Sequence, residues 1–119
     1  MSDTLSADER PETYRAAAAL MRERPGPWEV AYDPPDGNPS DPGTKLCLVA
    51  AIQEACNPGV PGDARPGEQG YDEGAFDRAR RVFRSAVGWS PFMFYREYGA
   101  IVSAGILDTI AARLEADRA

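Results

Sequence analysis

Four arginines lie within seven residues of the chain, at Arg78, Arg80, Arg81 and Arg84. On a helix, Arg80 and Arg84 share one face, as do Arg78 and Arg81. Guanidinium groups in this pattern suit the binding of phosphates or of an acidic protein surface. The commoner outcome for such a helix is a solvated face, because Asp77 can pair with Arg80 or Arg81 three or four residues later.

The segment that follows is the most aromatic part of the chain. Six large side chains within ten residues cannot all face one core from a single helix, so we expect some of them at the surface, next to Arg96. Exposed aromatic rings beside arginines are typical of protein–protein interfaces. The commoner outcome for such a segment is that its side chains fill a core that has few other bulky residues. Stacking on nucleic-acid bases and lining a small-molecule pocket are further alternatives. The six side chains are Trp89, Phe92, Met93, Phe94, Tyr95 and Tyr98.

These two features supply the candidate partner-binding residues. The set comprises the four arginines and, from the aromatic segment, Trp89, Phe92, Tyr95, Arg96 and Tyr98. The sequence predicts a non-catalytic protein that acts by binding another protein. A nucleic-acid-binding regulator that uses the arginine-rich third helix is the alternative.

Catalytic chemistry has few residues to draw on. The chain has no histidine, which excludes Ser-His-Asp and Cys-His nucleophile pairs and histidine metal ligands. Its single lysine, Lys45, belongs to no GxxxxGK[ST] phosphate loop. Two cysteines, Cys47 and Cys56, fall short of a structural zinc set, so we predict buried thiols, no metal site and no cofactor. A small enzyme remains a second alternative, with Glu54, Cys47 or a loop aspartate (Asp33, Asp36 or Asp41) as its reactive group.

The charge balance bears on location and partners. The 119 residues carry a net charge of -6, which argues against general affinity for nucleic acid or anionic membranes. No apolar run reaches 18 residues, and residues 1–10 are polar and acidic rather than a secretory signal. We therefore expect a single cytoplasmic domain over residues 1–119, with no membrane partner. Twelve of the 13 basic residues are arginine, a usage typical of genes rich in G and C.

The elements that must position these residues are mostly helices. Apolar spacing and capping residues predict helix 1 at 11–24, helix 2 at 45–56 with Thr44 as its N-cap, and helix 3 at 72–87. Ser90-Pro91 begins a short aromatic helix that breaks near Gly99, and a last helix runs from about 103 to 116. Helix 2 is apolar on nearly all sides, which predicts a central, buried position.

The connections are rich in proline and glycine. Residues 33–44 and 57–70 are predicted to be two long loops outside the core, and 1–10 a flexible N-terminus with a short turn before Pro11. Trp28, Val30 and Tyr32 alternate with other residues, so this segment is either an extended linker held by Trp28 or one arm of a small hairpin. We favour the linker.

Particular residues recur at defined places in this order of elements. They are Trp28 after the first helix, Cys47, Leu48, Ala51 and Ile52 in the second, Trp89 after the third, and Ile106, Leu107, Ile110 and Leu114 in the last. This pattern resembles a family of small, uncharacterised helical domains from actinobacteria and their phages. The resemblance covers about residues 12–116 and implies an all-helical fold without implying a reaction. The chain departs from the family's pattern at Ala50, where glycine is frequent, and at Ser90 and Pro91.

Together these patterns predict an all-α protein of four to five short helices around a buried central helix. The partner is predicted to be a protein, with the arginine-rich third helix and the segment 89–98 as its contact surface. A phage origin, with a host protein as partner, follows only from the resemblance.

Overall fold

A computed structural model describes residues 5–34, 37–38, 40–58 and 73–118 of the chain. Within these ranges the fold is mainly α-helical, as the sequence predicts. The chain order is a 3-10 helix at Ala7–Glu9, α1 at Pro11–Glu23, β1 at Tyr32–Asp33, β2 at Lys45–Leu46, α2 at Leu48–Cys56, α3 at Glu73–Val87 and α4 at Pro91–Arg118.

α1 forms where the apolar spacing predicts it, with Pro11 in its first turn. Its buried face follows the predicted spacing of three and four residues and is made of Tyr14, Ala17, Ala18 and Met21. The most extensive helix–helix packing is between α1 and α4, because alanines on α1 allow a close approach. Ion pairs of Arg15 with Glu115 and of Arg22 with Asp108 join the solvent-exposed edges of these two helices.

The turn before α1 is held in place by the rest of the protein. The Tyr14 hydroxyl donates to the carbonyl oxygen of Asp8 at 2.6 Å, and the Asp8 side chain is buried. The Ser6 N–H donates to Glu9 Oε1 at 3.2 Å. The structure thus has the short turn that the sequence predicts, and a hydrogen bond joins it to α1. The flexibility predicted for residues 1–10 stays a prediction. Residues 1–4 lie outside the described residues.

The predicted start of helix 2 is wrong. Instead of beginning at Lys45 with Thr44 as N-cap, α2 begins at Leu48, and Cys47 is its N-cap, with Sγ accepting from the Ala50 N–H at 3.5 Å. The physical reason is that both backbone hydrogen-bonding groups of Leu46 are paired with another segment. The Leu46 N–H donates to the Arg24 carbonyl, and the Leu46 carbonyl accepts from the Gly26 N–H. Helical hydrogen bonds are therefore not available to Leu46.

Lys45 and Leu46 instead form an antiparallel strand pair with Tyr32 and Asp33. The small hairpin, which the sequence leaves as the less favoured alternative to a linker, is therefore present at Tyr32–Asp33, whereas residues 28–31 form no strand. The loop between the strands is tied back where the structure describes it, since Arg24 donates to the carbonyls of Asp41 and Thr44. Of the predicted loop 57–70, residues 59–70 lie outside the described residues.

α2 occupies the central position that its composition predicts. None of its residues is exposed, and it contacts α1, α3 and α4. Cys47 and Cys56 are both free and buried, as predicted. None of the described helices combines the length and apolar character needed to cross a bilayer.

α3 and α4 are joined by a tight turn. Gly88 has a φ of 81°, and its N–H donates to the Arg84 carbonyl at 2.7 Å, so it closes α3 as predicted. Ser90 caps α4 by accepting from the Met93 N–H at 3.3 Å. Gly99, with φ 79° and ψ −174°, divides α4 into a first segment (91–98) and a second segment (100–118). The predicted break at Gly99 is therefore present, but the second segment resumes at once rather than at Ser103.

Candidate partner-binding surface

The four arginines of α3 divide by what their side chains contact. Arg78 Nε donates to Asp8 Oδ2 at 3.2 Å, so Arg78 joins α3 to the N-terminal turn. Burial disfavours the charged form of Asp8, but hydrogen bonds from Ser6 and Arg78 outweigh it and lower the pKa of the carboxyl. This contact is between residues 70 positions apart, and the spacing along α3 gives no sign of it.

Arg80, Arg81 and Arg84 face a shared groove. Asp77 forms ion pairs with Arg80 and, at 3.7 Å, with Arg81, which is the pairing expected of a solvated helix face. Arg84 has no acidic partner within ion-pair distance among residues 5–34, 37–38, 40–58 and 73–118. The groove has a volume of about 200 Å³ and is lined by Asp77, Arg80, Arg81, Arg84, Ser90 and Pro91.

The aromatic segment divides in the same way. Phe94 and Tyr95 are 6% exposed and belong to the core, whereas Phe92 is 43% exposed. Phe94 packs edge-to-face on Phe83 of α3, with ring centroids 5.3 Å apart. The question that the sequence leaves open, core or surface, therefore has a different answer at neighbouring positions.

Tyr95 is buried and is therefore not part of the candidate surface. Its hydroxyl donates to the carbonyl oxygen of Gly26, and burial raises the pKa of its phenol group. A side chain that is buried and hydrogen-bonded in this way cannot contact a partner without unfolding its surroundings. Its role is to hold the segment between α1 and β1 against α4.

A first aromatic cluster lies on one side of α4 and contains a residue outside the predicted set. The Trp28 and Phe92 ring centroids are 5.9 Å apart in an edge-to-face arrangement, and the Arg96 guanidinium lies 5.5 Å from the Trp28 ring centre. All three side chains are more than 40% exposed. We call Trp28, Phe92 and Arg96 the tryptophan cluster. Trp28 follows Pro25-Gly26-Pro27, a turn that could have signalled that the chain folds back here.

A second cluster lies on a different side of the same helical segment. Trp89 and Tyr98, 43% and 52% exposed, have ring centroids 5.7 Å apart, and Tyr98 also contacts Phe94 at 4.7 Å. Phe92 and Tyr98 are six residues apart, which places them about 120° apart around a helix. The aromatic residues therefore form two separate surfaces rather than one. Ile101, 83% exposed, follows Tyr98 after the break at Gly99.

Of the residues considered for catalysis, Asp36 lies outside the described residues, and the structure places Cys47 at the start of α2 and Glu54 within α2. Burial raises the pKa of the Cys47 thiol, although backbone N–H groups of α2 partly offset this, so the thiol is protonated at neutral pH. Glu54 accepts a hydrogen bond from the Ser40 hydroxyl at 2.9 Å. Among the described residues, no group of three or more cysteine, aspartate or glutamate side chains is placed to hold a metal ion.

Comparison with models of protein families, with curated proteins and with solved structures found no match. The resemblance to small helical domains of actinobacteria and their phages therefore stays a prediction. The two aromatic clusters and the groove lined by Arg80, Arg81 and Arg84 are the features of this protein that bear on its function.

Proposed function

We propose that this protein is non-catalytic and acts by binding a protein partner through the tryptophan cluster. The observation that carries the proposal is the contact of Trp28, Phe92 and Arg96, three exposed side chains from two distant parts of the chain. Tryptophan, other aromatic residues and arginine are enriched among the residues that dominate binding energy at protein interfaces.

The cluster is also held ready for binding. Tyr95, on the same turn of α4, anchors the Gly26 carbonyl, and Gly26 lies two residues before Trp28. Trp28 is therefore placed before a partner arrives, which lowers the entropy lost on association. Trp28 and Phe92 contact each other while both stay exposed, and contiguous exposed apolar surface marks interaction sites on proteins.

The nucleic-acid-binding alternative has weaker support. Arg78 is engaged by Asp8, and Arg80 and Arg81 share Asp77, so α3 presents fewer available cations than its sequence suggests. The net charge of -6 opposes non-specific association with a phosphate backbone. A cytoplasmic location, a phage origin and a host protein as partner are parts of the proposal that come from the sequence alone.

The test compares three immobilised forms of the protein in the capture of a partner from an actinobacterial lysate. The wild type and Ile101→Ser, which alters an exposed apolar residue outside the cluster, should retain the same protein at similar amounts. The double variant Trp28→Ala/Phe92→Ala should lose it. Binding measured by calorimetry with the purified partner should weaken at least about 30-fold, the effect of losing one dominant interface residue.

Two outcomes would count against the proposal. One is that no protein is retained in stoichiometric amount by the wild type. The other is that the double variant, shown to be folded by its backbone amide NMR spectrum, retains the partner as well as the wild type does.

A further inference from the structure

We propose that the groove between α3 and the first turn of α4 is an anion site that takes a phosphomonoester dianion. Its volume of about 200 Å³ and its lining of three arginines, one aspartate and the first residues of α4 define it. It uses other residues than the tryptophan cluster, so it does not rest on the proposed function. We refer to it as the arginine groove.

The charges of the arginine groove match a dianion. Arg80, Arg81 and Arg84 contribute three positive charges, and Asp77, the acidic residue of the lining, contributes one negative charge. Among the described residues that line the groove, positive charges therefore exceed negative charges by two. A phosphomonoester carries a charge of about −1.5 to −2 at pH 7, whereas a carboxylate or a phosphodiester carries only about −1.

The guanidinium group of Arg80 is also partly fixed in position. Arg80 stacks over the Phe76 ring, with its central carbon 4.6 Å from the ring centre, and pairs with Asp77. Its Nε is buried and has no hydrogen-bond acceptor among the described residues. Arg84, one turn further along, has no acidic partner within the same residues, so its donors are available to a ligand. Arginines can form paired hydrogen bonds to phosphate oxygens, and at Arg80 the cost in side-chain entropy is lowered by these contacts.

The first turn of α4 adds donors to the groove. Ser90 Oγ accepts from the Met93 N–H at 3.3 Å, so its own O–H can donate to an oxygen of the ligand. The positive end of the helix dipole faces the same place. The site nevertheless stands on the guanidinium groups, since a helix terminus without them would bind an anion only weakly.

The geometry favours a single phosphate group over a nucleic-acid backbone. A backbone is bound by cations spread along a track, and each contact adds to a steep salt dependence. Here three arginines converge on one groove, and the fourth, Arg78, is held by Asp8 on another face of α3. The ligand is therefore a phosphomonoester, either on a small molecule or on a modified side chain.

The experiment follows the Nε–Hε resonances of the arginines by NMR while methyl phosphate is added to the full-length protein at pH 7.5. We expect saturable shifts for Arg80, Arg81 and Arg84. Dimethyl phosphate, which carries one charge fewer, should bind at least tenfold more weakly. Lowering the pH to 5.5 should weaken the binding of methyl phosphate, because its second pKa is about 6.

Variants localise the site. Arg84→Gln should weaken binding at least tenfold, and Arg81→Gln should do the same, while Arg113→Gln, which removes an exposed arginine that does not line the groove, should leave binding unchanged.

Equal binding of the two phosphate esters, shifts that do not saturate, or indifference to Arg84→Gln would overturn the proposal. Tighter binding of a 12-base-pair DNA duplex, lost in Arg84→Gln, would replace it with a nucleic-acid site. A phosphoserine peptide and free phosphoserine, compared in the same assay, distinguish a modified side chain from a small molecule.

Discussion

α3 and the first segment of α4 are alike in one respect. In each, some side chains stabilise the fold and others are exposed at the surface. In α3, Arg78 reaches back to Asp8 in the N-terminal turn, while Arg84, six residues later, lies at the arginine groove. In the first segment of α4, Tyr95 reaches back to Gly26, while Phe92 remains exposed beside Trp28. Each helix thus has one side that fastens it to the first third of the chain and one side that is available to a ligand.

The comparison shows that residue type does not determine the role of a side chain here. Arg78 and Arg84 have the same chemistry, as do Phe92 and Phe94, yet within each pair one side chain stabilises the fold and the other faces solvent. What separates them is whether a segment far away in the sequence covers that side of the helix. Replacing each member of a pair in turn therefore tests whether one side chain stabilises the fold and the other does not.

The largest expected effect is on the two phenylalanines. Phe94→Ala removes a buried ring that contacts Phe83 and Tyr98, and should lower the free energy of unfolding by about 3–5 kcal/mol. Phe92→Ala removes an exposed ring and should cost about 1 kcal/mol or less. Urea denaturation followed by circular dichroism measures both. Similar losses for the two variants would show that the segment is not divided between core and surface.

A smaller effect concerns the glycine that ends the aromatic segment. Gly99 has φ 79° and ψ −174°, a conformation that is open almost only to glycine, so Gly99→Ala should destabilise the protein by about 1–3 kcal/mol. No neighbouring atom would obstruct the new methyl group, so the cost is conformational. Gly105→Ala, also unobstructed but inside the second segment of α4, is the control and should stabilise by about 0.5–1 kcal/mol. Thermal unfolding measures the change in stability of both variants. If Gly99→Ala does not change the stability, the glycine conformation at the break is not required.

The smallest effect separates the two arginines. Arg78→Gln removes the ion pair of a buried carboxylate and should cost about 1–2 kcal/mol at pH 7, whereas Arg84→Gln should change stability by no more than about 0.5 kcal/mol. The native pKa of Asp8 is lowered from 3.8. Its contribution to stability is therefore complete above about pH 5 and is lost as the pH falls through the lowered native pKa.

The pH dependence provides the control for this pair. Urea denaturation at pH 7 and at pH 2–3 should show that wild type and Arg84→Gln lose stability in parallel on acidification. Arg78→Gln should lose less over that interval, because part of the contribution of Asp8 is already gone. Parallel loss in all three proteins would show that Arg78 does not stabilise the charge of Asp8.

Much of the helical architecture could be predicted, and the error at the start of α2 has its cause in residues outside that segment. The apolar spacing of Tyr14, Ala17, Ala18 and Met21 places α1 and its buried face, and Gly88 and Gly99 mark helix ends because only a glycine accepts their conformations readily. The start of α2 could not be predicted in the same way. Residues 45–47 have helical apolar patterning, but hydrogen bonds to Arg24, Gly26 and Ala31 hold their backbone in an extended form.

The candidate sites were only partly predictable, for the same reason. The clustering of arginines and aromatic residues predicts exposed side chains on the third helix and in the segment 89–98, since exposure is expected where large side chains outnumber the positions that face a core. The membership of each site depended on contacts across the chain. Trp28 contacts Phe92 and Arg96, which lie more than 60 residues later in the chain. Tyr95 and Arg78 are not available to a ligand in the same way, because Tyr95 is hydrogen-bonded to Gly26 and Arg78 to Asp8.

The sequence by itself determined the helical class, the central place of α2, the glycines that end two helices, and the lack of histidine chemistry. These follow from side-chain periodicity, backbone sterics and composition, which act between near neighbours in the chain. Only the tertiary structure decided which arginines are available, which aromatic rings are exposed, and that the rings form two surfaces instead of one. Those properties depend on which distant segment covers each side of a helix, and periodicity carries no information about that.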